Sequence, residues 1–269
     1  ETLGFQLGAA DYITKPIRPP IVRARVRTHL ALYNQNRILE EKVRRRTEQL
    51  DNTRLEIIQR LSRAAEFRDN ETGLHVLRVS HYARLLGMAA GLPKAIGELL
   101  FNAVPMHDVG KIGIPDRVLL KPGRLDAEEW AIMKQHAQFG ANIIGDHDSE
   151  LLASARVIAL THHEKWDGSG YPRGLRGEDI PLYGRITAIV DVFDALSFER
   201  PYKKPWPLPD VIDLVKREAG HHFDPRLTTI FMDILPEIRL IHQKFGDEDA
   251  TSITADTRVS DLLAPMPNP

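Results

Sequence analysis

Met106-His107-Asp108-Val109-Gly110-Lys111-Ile112-Gly113 sets an imidazole beside a carboxylate within an apolar stretch. Adjacent side chains on a helix point about 100° apart, so the pair offers ligands to two neighbouring metal ions. Lys111, one turn on, brings a positive charge to the same face. An ordinary core has little use for three polar side chains between Val104 and Ile114. The weight of the pair depends on whether the rest of the chain supplies further ligands.

It does. Glu71 and His75 stand at i and i+4 and share one helical face. His136 lies on a helix that Asp126 caps, with Glu129 at the next turn. His162-His163 closes an apolar helix. Adjacent histidines point at one ion only with strain, so the doublet suggests two ions, or one ligand and one substrate contact. Asp191 sits inside Ile186-Thr187-Ala188-Ile189-Val190-Asp191-Val192-Phe193, where a carboxylate is costly to bury without a cation or hydrogen bonds. Taken singly, Glu71 with His75 reads equally as a solvated helix face, and His136 as a hydrogen-bonded core histidine. Together the eight side chains are five imidazoles and three carboxylates. That mix suits Fe, Mn, Ni or Zn at more than one site, and eight ligands imply two or three ions.

The remaining composition narrows the class. The chain has 269 residues, a formal net charge of −1 and no cysteine, which excludes disulfides and thiolate metal sites and fits a reducing compartment. No apolar run approaches the ~20 residues that span a bilayer, and no signal peptide opens the chain. A cytoplasmic protein is expected, and the start at Glu1, in mid-pattern, suggests a piece of something longer.

The expected fold class is all-α. Helical spacing recurs through Val76–Ala90, Ala95–Val104, Ala127–Ile144, Leu151–Thr161, Ile186–Leu196, Pro209–Arg217 and Leu227–Phe245. Before this region, Leu32 to Ala64 carries dense charge and neither Pro nor Gly. Leu32, Leu39, Val43, Leu50, Ile57 and Leu61 mark one stripe, as in a helix that pairs with its copy in a homodimer. The alternative is a solvated helix lying on its own domain. Glu40, Glu41 and Glu48 around Arg44-Arg45-Arg46 make a solvated face a better account of that cluster than nucleic acid. Residues 1–33 end an α/β unit, with a helix end, a strand at Asp11–Thr14, a Lys15-Pro16 turn and a helix from Ile17 to Tyr33. The expected divisions are 1–33, a linker helix over 34–64, a bundle over 65–245 and a poorly ordered tail over 246–269.

After His162-His163 comes Glu164-Lys165-Trp166-Asp167-Gly168-Ser169-Gly170-Tyr171-Pro172. With His107-Asp108, Arg68 to His75, Asp191 to Leu196 and Arg200-Pro201-Tyr202-Lys203, this resembles the HD-GYP family. That family is a branch of the HD superfamily of metal-dependent phosphohydrolases, and the resemblance covers roughly residues 62–245. Gly8-Ala9-Ala10-Asp11-Tyr12-Ile13-Thr14-Lys15-Pro16 is similar to the end of a response-regulator receiver domain, which implies a cis Pro16; the phospho-accepting Asp lies outside the chain.

The resemblance implies an HD-type helical bundle after a coiled-coil-like linker helix and a receiver remnant, acting as a response-regulator output. The implied activity is hydrolysis of cyclic di-GMP to linear pGpG, GMP or both; some members take cyclic GMP-AMP instead. It gives metal roles to His75, His107, Asp108, His136, His162, His163 and Asp191, and to Glu71 support of a third ion. Asp108 and Lys111 would be catalytic, with Asp108 bridging two ions and Lys111 near the scissile phosphate. Gly170, Tyr171 and Pro172 would form the substrate-side loop, and Arg200 and Lys203 would contact phosphate or base. Fe or Mn is the expected metal, with Ni or Zn acceptable to the same donors. Diguanylate cyclase domains are implied partners of the Gly170-Tyr171-Pro172 loop. The competing class is a non-catalytic dinucleotide sensor or interaction module; His221-His222 and the remaining histidines read as structural.

Overall fold

The computed structural model describes residues 6–13, 15–68, 74–199 and 204–245. Glu71, Arg200, Lys203 and the tail 246–269 lie outside the described residues. Chain contacts divide the molecule into two compact units, Glu1–Arg54 and Leu55–Pro269.

Helix α1 runs Pro19–Arg68, fifty residues without a break. The separate helix expected at 17–33 is its first part, because neither Pro nor Gly interrupts the chain from Ile21 to Arg68. Pairs at helical spacing, Arg45 with Glu41 at 2.6 Å and Arg60 with Glu56 at 2.5 Å, decorate its surface. Leu32, Leu39, Val43 and Leu50 are all exposed. In the first unit Arg25 bonds Asp11 at 3.0 Å and the carbonyl of Tyr12 at 2.7 Å. Lys15-Pro16 is cis. The strand expected at Asp11–Thr14 does not form over its described part, Asp11 to Ile13. A lone strand has no ladder to join, and the described residues contain no second one.

The second unit is a helical bundle. Its helices are α2 (Leu74–Ala89), α3 (Lys94–Ala103), α4 (Asp116–Leu119), α5 (Ala127–Met133) and α6 (His136–Ile144). They continue with α7 (Glu150–Thr161), α8 (Leu182–Ser197), α9 (Leu208–Arg217), α10 (Pro225–Asp233) and α11 (Leu235–Lys244). Helix α2 is buried on almost every side and therefore central, with α3, α8, α10 and α11 packed on it. Phe193 of α8 is fully enclosed between Tyr82, 5.6 Å away, and Phe231, 5.2 Å away.

Two long helices expected from periodicity are each broken. Between α5 and α6 the chain turns at Lys134 and Gln135, and the His136 ring bonds the Met133 carbonyl at 2.7 Å. His136 therefore opens its own helix rather than riding on the one Asp126 caps, although the Asp126–Glu129 capping box is formed as expected. Between α10 and α11 the break falls at Ile234, one residue before Leu235-Pro236, whose proline has no N–H to give.

Replacing Phe193 by Ala removes a ring enclosed on all sides. Denaturant unfolding should show a loss of about 3–5 kcal/mol; a loss below about 1 kcal/mol would mean that the α2–α8–α10 contact is not central.

Candidate metal centre

Helix ends and one tight turn deliver the polar side chains to a common point. His75 stands in the first turn of α2, His136 opens α6, His162 caps α7 with His163 just beyond, and Asp191 sits in the middle of α8. His107 and Asp108 lie between two 3₁₀ turns, Val104–Met106 and Val109–Gly113, rather than on a regular helix. Asp108 leaves helical geometry at φ −103°, ψ 10°. Gly110 lets this turn press on α6, since a Cβ there would fall 1.9 Å from the His136 carbonyl oxygen. Arg68 braces the turn behind Lys111, bonding the carbonyls of Ile112 and Ile114 and pairing with Asp116 at 2.8 Å.

The side chains assemble into two groups whose ligand atoms lie within 4.8 Å of one another: Asp108, His136, His162 and His163 in one, and His75, His107 and Asp191 in the other. Seven of the eight expected ligands are thus brought together; Glu71 lies outside the described residues. Asp108 Oδ1 is 3.4 Å from Nε2 of both His136 and His162. Its Oδ2 is 3.4 Å from His107 Nε2, so one carboxylate faces both groups. Asp191 Oδ1 stands 3.5 Å from His75 Nε2 and 3.8 Å from His107 Nε2. Ligand atoms about 2.1 Å from one ion are about 3.0–3.4 Å apart, so the Asp108 spacings fit and those of Asp191 are slightly wider. His162 and His163, expected to serve two ions or to act as one ligand and one substrate contact, fall in the same group of possible ligands. Helix α7 ends at Thr161, and the turn beyond it brings the two rings to 4.0 Å.

Four of the five histidines in these groups have Nδ1 committed elsewhere. His107 donates to the Val104 carbonyl at 2.9 Å, His136 to that of Met133, and His162 to those of Ile158 and Ala159 at 3.1 Å. His75 Nδ1 takes Asp194 Oδ2 at 2.7 Å. This leaves Nε2 as the ligating atom in these four rings. Nε2 of His107, His136 and His162 and Oδ1 of Asp108 are buried without a hydrogen bond, the condition a bound cation resolves. The residues therefore fit divalent metal ions.

Electrostatics agree. Burial works against charge on His107, yet the Asp108 carboxylate and then Asp191 hold its pKa up at about 9. Burial would raise Asp108, but the Lys111 ammonium, 2.8 Å away, and His107 hold it well below the usual carboxylate range. Burial depresses His136 to about 4, and burial with the nearby His162 lowers His163, so both are neutral and ready to ligate. The Tyr171 ring stacks on His163 at 4.8 Å and 29°, and burial raises its hydroxyl pKa. Arg200 and Lys203, expected at the substrate, lie outside the described residues.

Asp194, Arg78 and Glu164 carried no role at the level of sequence. Asp194, one turn after Asp191, bonds His75 and also Arg78 through Nε at 2.7 Å and Nη2 at 2.9 Å. Burial opposes its charge, but Arg78 and His75 hold its pKa at about 2. Its signal was the pair of carboxylates one turn apart on an apolar helix. Glu164, which follows the histidine doublet, is buried against the Tyr171 loop. His221 and His222 keep a structural part, their carbonyls accepting the amides of Asp167 and Trp166.

Comparison with known proteins gives the same picture. The HD-domain family profile matches residues 37–227. A "probable cyclic di-GMP phosphodiesterase" of Vibrio cholerae is 40% identical over 274 residues, covering 94% of this chain and 62% of that protein. A second V. cholerae protein, "3'3'-cGAMP-specific phosphodiesterase 2", is 46% identical over 198 residues, covering 74% of this chain and 38% of its own length. The "cyclic di-GMP phosphodiesterase response regulator RpfG" of Xanthomonas campestris pv. campestris is 40% identical, covering 91% of this chain and 67% of that one. The chain thus spans between about four tenths and two thirds of these relatives. Among the described residues no helix is long and apolar enough to cross a membrane.

At pH 7.5 the metal-free protein keeps His107 protonated, because its pKa stands at about 9. Metal uptake should then release about one proton from this group, read with a pH indicator in weak buffer. Raised above its ordinary 6.5, His107 stabilises the metal-free fold fully below that pH and loses the contribution as pH rises through 9. Metal binding without proton release at pH 7.5 would contradict the assignment.

Proposed function

Because the chain belongs to the HD-domain family, we propose that it is a metal-dependent phosphodiesterase that hydrolyses cyclic di-GMP to linear pGpG, GMP or both, in the HD-GYP branch. The observation that carries this reading is Asp108, set between two groups of imidazoles with Lys111 at its side. Two relatives whose names specify cyclic di-GMP support the substrate.

A phosphodiester is anionic and hydrolyses very slowly in water. Divalent ions held by the two groups would neutralise its charge and lower the pKa of an attacking water. The donor set, nitrogen and oxygen without sulfur, suits Fe or Mn best, with Ni or Zn also accepted. Asp108, facing both groups, would contribute a carboxylate oxygen to each. Lys111 meets the charge that develops on the non-bridging phosphate oxygens as a compact point charge. Tyr171 closes one wall beside His163 and packs on or hydrogen-bonds the substrate, with Gly170 and Pro172 shaping its loop. Glu71 as support for a third ion, and Arg200 and Lys203 at phosphate or base, complete the reading on the strength of the family resemblance.

The wider arrangement follows the same line. Residues 1–33 are the end of a receiver domain, 34–64 the linker helix and 65–245 the catalytic domain of a cytoplasmic two-component output. The name of one relative includes a response regulator. The exposed stripe Leu32, Leu39, Val43 and Leu50 supports a homodimer through α1. The Gly170-Tyr171-Pro172 loop is the surface for diguanylate cyclase domains. A preference for cyclic GMP-AMP is the second reading, favoured by the relative at 46% identity. A non-catalytic sensor is disfavoured, since no ligand of the two groups is lost.

Protein loaded with Fe(II) or Mn(II) under exclusion of oxygen should turn over cyclic di-GMP faster than cyclic GMP-AMP. Lys111→Ala should lower kcat by about 10²-fold with metal content unchanged. Tight binding with no turnover of either dinucleotide on any metal would leave the sensor reading standing instead.

A further inference from the structure

We propose that Glu164 is the positioning residue for Tyr171, holding the substrate-side loop against the metal centre. Its side chain is 1% exposed. One carboxylate oxygen accepts the amide of Arg173 at 2.8 Å and the other that of Leu175 at 3.0 Å. A buried carboxylate is costly, and two amide donors aimed at its two oxygens are the compensation that keeps it there.

The bonded amides lie just past Tyr171-Pro172. On the near side of the pair, the Tyr171 amide donates to the His163 carbonyl at 3.2 Å. Gly170 crosses the Glu164 backbone so closely that a Cβ would meet the Lys165 nitrogen at 2.3 Å and Glu164 Cα at 2.5 Å. Tyr171 is therefore fastened between two neighbours in sequence, His163 before it and Glu164 after it. Other bonds brace the start of the loop, from Trp166 and Asp167 to the carbonyls of His222 and His221 and from Gly177 to Trp166. None of these reaches residues 172–175. That span depends on the carboxylate.

Because Glu164 directly follows His162-His163, the same turn that presents two ligands also presents the clamp. Any shift of the loop relative to the centre must stretch the bonds to Arg173 and Leu175. The Tyr171 ring then keeps its stacked distance of 4.8 Å from His163. The consequence for catalysis rests on the reading of Tyr171 as a substrate contact; the clamp itself does not.

Glu164→Gln keeps the shape but replaces one acceptor by an NH₂ that faces an amide N–H. Gly170→Ala pushes the loop off Glu164 without altering the carboxylate. In the full metal-loaded chain, both variants should exchange amide hydrogens faster over residues 171–175 and keep full metal content. Both should also raise KM for cyclic di-GMP about tenfold, the effect of losing one charge-assisted hydrogen bond, while kcat changes less. Wild-type exchange and KM in Glu164→Gln would overturn the proposal. So would a loss of metal content matching the loss of activity, since Glu164 would then be supporting the ligands. If the wild-type protein turns over no dinucleotide, the functional reading fails, while the exchange contrast at 171–175 still decides whether Glu164 holds the loop.

Discussion

The structure depends on one half-buried carboxylate placed where several helix ends meet. Asp108 has Nε2 atoms of three histidines 3.4 Å from its oxygens and the Lys111 ammonium at 2.8 Å. Without a cation the arrangement is electrostatically unfinished: His107 is driven to hold a proton, while His136 is driven to lose one. Such a site adds stability at low pH through protonated His107, but it does not hold itself together. It persists because the apolar packing around it fixes the helix ends from which the ligands project.

That packing explains why the ligands come from helix ends and turns. A helix interior presents one side chain per turn to any given point, and only Asp191 is delivered that way. The others use the first turn of α2 and α6, the end of α7 and the 3₁₀ junction at His107-Asp108, where the backbone direction changes within a few residues. Two ligands can then enter from one short segment, as at 107–108 and 162–163. The second tier is built from the same elements. Asp194 on α8 orients His75 on α2 and receives Arg78 from the next turn, while Arg78 also reaches the Phe245 carbonyl beyond α11.

Much of the site was legible because polar residues inside apolar helices stand out against their neighbours. His107-Asp108, His162-His163 and Asp191 announced themselves in this way. The partition into two groups was not legible, since whether adjacent histidines diverge depends on where α7 ends, and periodicity does not place helix ends to the residue. The breaks at Lys134-Gln135 and at Ile234 escaped for the same reason. The strand at Asp11–Thr14 was a sound inference from local composition, but a strand needs partners, and the described residues bring none. Asp194 and Glu164 were missed because their partners are distant or are backbone amides. His75 is 119 residues from Asp194, and no side-chain pattern marks the amides of Arg173 and Leu175.

The central claim is that Asp108 spans two metal positions. Crystals of protein loaded with Mn(II) or Fe(II), measured at the absorption edge of the metal, test it most directly. Two anomalous peaks about 3.5–4 Å apart are expected, with one Asp108 oxygen on each. One peak should be ringed by His136, His162 and His163, and the other by His75, His107 and Asp191. A single peak, or two peaks that do not share Asp108, would contradict it.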